Sequence, residues 1–240
     1  LYTVTNACGP VSATHVVTIG SYLTAGTISG PSAVCAGSTI TLTDPAPGGT
    51  WTSSLPAVAS VGATTGIVTG HITGMSAVIT YTLPTGCFVT TTVNVSASPS
   101  IINGPNTVCV GACVPFTDTV MGGTWTSGTP SVATIGSSTG LVTAGGTPGT
   151  TSITYTLPTG CFSTIPVTIN PQPAAISGTA IACGGTGPTS VTLSDATSGG
   201  TWTSGTASIA TVGSSTGIVG GVAQGTSVVT YTLSTGCITT

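Results

Sequence analysis

The sequence predicts an all-β chain made of tandem antiparallel β-sandwich domains of about 75 residues each. Three observations predict it. A long motif recurs three times at nearly equal spacing. Within each copy, apolar residues alternate with Thr at the period of a half-buried strand. Turn signals fall roughly every 8–12 residues, and no segment carries a helical period.

The repeat comes first. Gly49-Thr50-Trp51-Thr52-Ser53 returns at 123–127 and 200–204, with Trp spacings of 74 and 77 residues. Ala77-Val78-Ile79-Thr80-Tyr81-Thr82-Leu83 returns at 151–157 and 227–233. In each copy a Cys follows the Tyr by six residues (Cys87, Cys161, Cys237), and an Asp precedes the Trp by seven (Asp44, Asp118, Asp195). The expected domains are repeat 1 at 22–97, repeat 2 at 98–171 and repeat 3 at 172–240. Residues 1–21 read as the last strands of a partial preceding repeat, because Tyr2-Thr3-Val4-Thr5-Asn6-Ala7-Cys8 matches the Tyr-to-Cys stretch. Repeat 3 stops short of the strand that follows Cys87 (Phe88 to Val95) and Cys161 (Phe162 to Ile169). With no signal peptide at Leu1, the chain reads as a mature product or a window from something longer.

Each copy then divides into strands. In repeat 2 about seven are expected, near 100–109, 113–120, 123–127, 132–136, 140–144, 151–157 and 162–169. Ile153, Tyr155 and Leu157 alternate with Thr154 and Thr156, and Thr and Val favour strands because branching at Cβ stiffens χ1. Pro-Thr-Gly at 84–86 and 158–160, Gly-Gly before each Trp, and Ser-Ser-Thr-Gly at 137–140 and 214–217 mark the turns. Seven short strands in about 75 residues point to a sandwich. Its core anchors are Trp51, Trp125 and Trp202 with Tyr81, Tyr155 and Tyr231, since each large ring buries about 150–250 Å².

Composition narrows the function. The 240 residues contain no Lys, no Arg and three acids, where about 60 charged side chains would be usual. Thr, Gly and Ser supply 118 residues, about half the chain. Without Lys or Arg the chain cannot neutralise nucleic-acid phosphates or anionic lipid. Mean hydropathy is +0.57, but Thr, Ser or Gly interrupts every apolar run, so membrane insertion is not expected. Abundant β-branched residues and scarce charge argue against disorder, and the Gly spacing excludes collagen.

The stretch Thr129-Pro130-Ser131-Val132-Ala133-Thr134-Ile135-Gly136, continuing through Ser137-Ser138-Thr139-Gly140-Leu141-Val142-Thr143-Ala144, resembles the signature of bacterial Ig-like repeats of the second group. Pro56 to Val61 with Gly66 to Thr69, and Ser208 to Val212 with Gly217 to Val219, resemble it too. That family builds invasin- and intimin-type surface proteins and very long secreted repeat proteins. The resemblance implies tandem Ig-like sandwiches serving mostly as stalk and spacer, with occasional binding tips.

Eight Cys in a charge-poor repeat chain suggest disulfides and an oxidising setting outside the cytoplasm. Six recur in pairs: Cys35 and Cys87, Cys109 and Cys161, Cys183 and Cys237. The simplest pairing lies within each repeat and closes loops of about 52 residues, worth roughly 4 kcal/mol each. In a plain seven-strand sandwich, however, the two turns concerned lie at opposite ends. That geometry favours Cys35 near Cys161 and Cys109 near Cys237, stapling neighbouring repeats, unless a split first strand restores the internal pairing. Cys8 and Cys113 fall outside the period and are candidates for unpaired or inter-chain thiols. The spacing suits no zinc site.

No catalytic constellation emerges, and neither an enzyme, a metal nor a cofactor is expected. His15 and His71 occupy unrelated repeat positions. Each Asp follows a strand and precedes Gly-Gly, the place of a turn-forming carboxylate. One carboxylate per repeat is too few for calcium, and the carboxylates are a domain apart, too far for glycoside hydrolysis. No His–Asp pair is placed to activate a Ser or Thr, and Gly145-Gly146 lacks the context of a phosphate loop. Asn94-Val95-Ser96 fits an N-glycosylation acceptor, and Thr119 in Asp118-Thr119-Val120 an O-glycosylation acceptor.

The expected function is mechanical: a structural module of an extracellular filament, sheath or surface stalk, offering trypsin-like proteases no cleavage site. Low net charge favours association with copies of itself. The apolar segment Val11 to Ile19 is a candidate donor strand for the open edge of repeat 3 in another copy. A glycan-binding adhesin module is the alternative, with Tyr22, Phe116 and His71 as the aromatics outside the inward repeat positions. Ice binding through Thr arrays is a third reading.

Overall fold

The computed structural model describes residues 2–6, 9–13, 24–182 and 190–240, the first two segments as backbone. The described residues form strands and turns, with no helix among them. The chain divides into two compact units, 1–97 and 98–240.

In the first unit, β1 (Tyr2–Asn6) pairs antiparallel with β2 (Gly9–Ala13), Tyr2 opposite Ala13. Only the start of the Val11–Ile19 segment is therefore seen, and one edge of it is already taken by β1. Repeat 1 follows with β3 (Ala33–Cys35), β4 (Thr39–Thr41), β5 (Thr50–Ser53), β6 (Ala59–Val61), β7 (Ile67–Gly70), β8 (Met75–Thr82) and β9 (Phe88–Ser96). They make two sheets, ordered β3-β9-β8-β5 and β4-β7-β6. All pairings are antiparallel except β3 with β9.

In the second unit, repeat 2 has the same plan: β10 (Thr107–Cys109), β11 (Cys113–Pro115), β12 (Thr124–Ser127), β13 (Ala133–Ile135), β14 (Leu141–Ala144), β15 (Gly149–Thr156) and β16 (Phe162–Asn170), ordered β10-β16-β15-β12 and β11-β14-β13. Repeat 3 contributes β17 (Ser177–Gly178), β18 (Ser190–Ser194), β19 (Thr201–Ser204), β20 (Ala210–Val212), β21 (Ile218–Gly221), β22 (Val229–Thr232) and β23 (Ile238–Thr239), ordered β17-β18-β21-β20 and β19-β22-β23.

All seven strands expected in repeat 2 are present, but the first is split. Asn103 bridges Thr117 on the three-stranded side, and β10 then joins the other sheet. Gly104-Pro105 falls at the break. Proline has no amide hydrogen for the ladder, and a Cβ on Gly104 would strike the Phe116 ring. Repeat 1 breaks likewise at Gly30-Pro31, after the Ser29–Thr43 bridge.

The G-T-W-T-S motif explains itself residue by residue. Trp125 turns inward beside Tyr155, ring centroids 4.5 Å apart; Trp51–Tyr81 and Trp202–Tyr231 both stand at 4.6 Å. All six rings are buried. Thr124 and Thr126 point outward, and Ser127 Oγ donates to the Ala133 carbonyl at 2.7 Å, tying β12 to the facing sheet. Ser53 and Ser204 do the same to Ala59 and Ala210, each at 2.6 Å.

Phe116 corrects an expectation. It is 1% exposed, a core residue rather than a surface aromatic. It holds the place of Leu42, also buried, and of Leu193, each two residues before the repeat's Asp.

Candidate functional site: the junction between repeats

The second cysteine of each repeat sits in a tight hairpin. Leu157 N donates to the Cys161 carbonyl at 2.8 Å and Gly160 N to the Leu157 carbonyl at 2.9 Å, with Gly160 at φ +87°. Leu83–Cys87 and Leu233–Cys237 close the same three-residue loop, with Gly86 and Gly236 in the same conformation. This hairpin opens the last strand, so the second cysteine stands at the pole where its repeat begins. The first cysteine stands at the other pole. Parallel pairing sets Cys109 opposite Asn170, the final residue of β16, and Cys35 opposite Ser96, the final residue of β9. Eight strand steps separate the poles, about 26 Å at a rise of ~3.3 Å per residue.

The cross-link follows from this arrangement. Cys109 is bonded to Cys237, with Cα atoms 5.6 Å apart. The expected internal pairing of Cys109 with Cys161 is thus replaced by a bond to the next repeat. The first strand does split, yet the split does not restore the internal pair, because β10 rejoins the sheet beside the far end of β16. Gln172 Nε2 donates to the Ile238 carbonyl at 3.3 Å at the same junction. Cys35 and Cys161 are each disulfide-bonded as well. Cys87, expected in a disulfide, carries a free thiol that is half-buried, and Cys113 carries a free, exposed one whose Sγ lies 3.7 Å from Thr143 Oγ1. Cys8 and Cys183 lie outside the described residues, as do His15 and Tyr22.

The three Asp are turn residues, as their spacing predicts. Asp118 Oδ1 accepts from Val120 N at 2.8 Å and from Ser100 N at 3.2 Å. Asp44 accepts from Ala46 N at 2.9 Å, and Asp195 from Thr197 N at 2.7 Å. The other carboxylate oxygen of each is buried without a protein hydrogen-bond partner. Among the described residues no group of three or more His, Cys, Asp or Glu could hold a metal ion. His71 is exposed, its Nε2 2.9 Å from Ser60 Oγ. Asn94 and Thr119 are exposed too; Thr119 Oγ1 donates to Ser100 Oγ at 3.0 Å.

Two features escaped the sequence reading. Phe88 and Phe162, directly after the second cysteines, are 65% and 66% exposed. Counting back in twos from buried Val93 and Val95, or Val167 and Ile169, puts both on the outer face. Repeat 3 also holds a groove of about 560 Å³ lined by Ile176, Val191, Leu193, Ile209, Val219 and Val229 among others. In repeat 1, Gly70 packs against Val95 of the last strand; its counterpart Gly221 lines the groove.

No protein-family model and no curated protein matches the chain. Solved structures do. A C-terminal 282-residue fragment of intimin, in complex with the intimin-binding domain of the translocated intimin receptor, is similar over 65% of this chain and 66% of its own length, at 16% identity and a TM-score of 0.39. Domains 1–6 of the surface layer protein SbsC are similar over 86% of this chain and 38% of theirs, at 20% identity and 0.28. Drosophila N-cadherin EC1-4 is similar over 83% and 68%, at 13% identity and 0.29. This chain spans less than two thirds of the first two. The strand orders themselves make each repeat a two-sheet β-sandwich, the all-β class that the sequence predicts.

Proposed function

We propose that the chain is a structural module of an extracellular filament, sheath or surface stalk, with 22–97, 98–171 and 172–240 each one building block of the second bacterial Ig-like group. The observation that carries this reading is the Cys109–Cys237 bond, which crosses from one repeat to the next. Disulfides persist in oxidising compartments, which favours a place outside the cytoplasm. A covalent staple closing so long a loop stabilises the pair of repeats by about 5 kcal/mol on the chain-entropy model. The near-absence of charge leaves Thr-faced sheets suited to packing on like surfaces. Immunogold labelling of source cells tests the reading: label at or beyond the envelope is expected. Cytoplasmic label, with every thiol open to alkylation, overturns it.

The groove in repeat 3 favours self-association by strand addition. It lies where the last strand of repeats 1 and 2 places Val93 and Val95, or Val167 and Ile169, and an incoming strand of alternating Val and Ile would complete it. Val11 to Ile19 is the proposed donor from another copy. Sedimentation and electron microscopy of the purified chain decide; monomers at all concentrations sink strand donation.

The adhesive alternative rests on exposed Phe88 and Phe162 with His71. Glycan-array binding lost on Phe162→Ala supports it. Asn94 and Thr119 remain proposed sugar acceptors, both at the surface. The outer ranks Thr52–Thr80–Thr90 and Thr126–Thr154–Thr164 lie in register, the arrangement ice binding requires, and thermal hysteresis tests it.

A further inference from the structure

Cys87 is the repeat counterpart of two cysteines that are both bonded. Cys161 and Cys237 are disulfide-linked and buried, at 1% and 0% exposure. Cys87 stands in the same hairpin, closed by the same Leu83 N to Cys87 carbonyl bond at 2.8 Å, yet it is half-buried and free. Its own repeat cannot supply a partner. Cys35 is level with Ser96 at the far end of β9, eight strand steps from the hairpin, or about 26 Å. A disulfide needs Cα atoms within about 7 Å, and Cys35 is already bonded.

We propose that Cys87 is a docking thiol. It is the acceptor half of a further staggered disulfide, closed by the first cysteine of another repeat of this kind seated on the N-terminal pole of repeat 1. The stagger is the one seen at Cys109–Cys237, in which the first cysteine of a repeat joins the second cysteine of the repeat that follows. By the same rule Cys87, the second cysteine of repeat 1, takes the first cysteine of a repeat on its N-terminal side. The partner is defined by chemistry: a strand of the Thr-Val-Cys type at 107–109, ending beside the last residue of its own final strand. Seated there, it would cover the thiol as Cys237 is covered.

The bond forms by thiol–disulfide exchange with a disulfide donor such as oxidised glutathione. The Cys87 thiolate attacks one donor sulfur and expels the other as a thiolate, giving a mixed disulfide. The incoming cysteine thiolate then attacks the Cys87 sulfur and expels the second donor thiol. Two protein thiols are oxidised, and one donor disulfide is reduced to two thiols. The proposal does not depend on where the protein works, since it rests on the equivalence of the three hairpins.

The test replaces residues 1–21 with a second copy of 98–171, carrying Cys113→Ser in both copies, and oxidises the chain with glutathione. Alkylation followed by peptic mapping under non-reducing conditions reads the result; pepsin is needed because the chain has no Lys or Arg. Loss of alkylation at Cys87 is expected, together with a linked peptide joining it to the first cysteine of the added repeat. A Cys35–Cys87 link, or full alkylation of Cys87 while Cys109–Cys237 stays intact, overturns the proposal. The unextended chain provides a second arm. In Cys109→Ser, Cys237 should become as open to alkylation as Cys87. A Cys183–Cys237 link within repeat 3 would show that hairpin thiols accept partners from their own repeat, and the proposal would fall.

Discussion

Tyr155 reaches across the sheet to Gly123. Its hydroxyl oxygen accepts the Gly123 amide at 2.8 Å, and its ring stands where a Cβ on Gly123 would have to go, 2.5 Å away. The same hydroxyl donates to the Val120 carbonyl at 2.8 Å, and Val120 N in turn donates to Asp118. One short chain of hydrogen bonds thus fastens the Asp turn to the core ring. Repeats 1 and 3 copy it through Tyr81–Ala46 and Tyr231–Thr197. Tyr155→Phe keeps the ring and strips both bonds, leaving a buried donor and acceptor. A loss of about 1–3 kcal/mol is expected in urea unfolding, against about 3–5 for Tyr155→Ala, which also opens a cavity.

Gly140 is fixed by two constraints at once. Its φ is +67°, and an added Cβ would fall on the Phe116 carbonyl oxygen and 3.1 Å from Trp125 Nε1. Gly140→Ala should destabilise by more than about 1 kcal/mol. Gly146→Ala, where nothing lies within 4 Å, should be neutral or slightly stabilising. Melting temperatures of the two variants provide the comparison.

Asp118 uses one oxygen and buries the other without a protein partner. Asn keeps the accepting oxygen, so Asp118→Asn should stay within about 1 kcal/mol of the parent, whereas Asp118→Ala frees the Val120 and Ser100 amides and should cost about 1–3 kcal/mol. Equal losses in both variants would show that the carboxylate's charge, rather than its accepting oxygen, holds the turn.

The staple should govern cooperativity. With Cys109–Cys237 intact, repeats 2 and 3 should melt together in calorimetry. Cys109→Ser, or reduction, should separate them into two transitions, with repeat 3 lowest because, among the described residues, its core cluster holds Trp202, Tyr231 and Leu233 with a few partly buried neighbours.

Cys113 is an exposed thiol on the edge strand β11. Cys113→Ser should leave the melting temperature unchanged while reducing covalent dimer on non-reducing gels.

Much of this was legible in the chain. The alternation at Ile153, Tyr155 and Leu157 gave their burial correctly, because period 2 depends only on the pleat. The core role of Phe116 was legible too, in its two-residue offset from Asp118, but aromatic identity outweighed position. The cross-link was legible only as one of two alternatives. Its choice depends on β10 lying parallel to β16, a pairing across more than fifty residues that no local pattern encodes. The exposure of Phe88 and Phe162 follows from the register of the buried Val and Ile near the far end of the same strands.

The Cys109–Cys237 bond also sets the route of a pulling force. Tension that enters before residue 109 and leaves after residue 237 crosses a single sulfur–sulfur bond, and the chain between is bypassed. That bypassed length, 128 residues along the sequence, would extend to roughly 440 Å if freed. While the bond holds, it is slack kept in reserve.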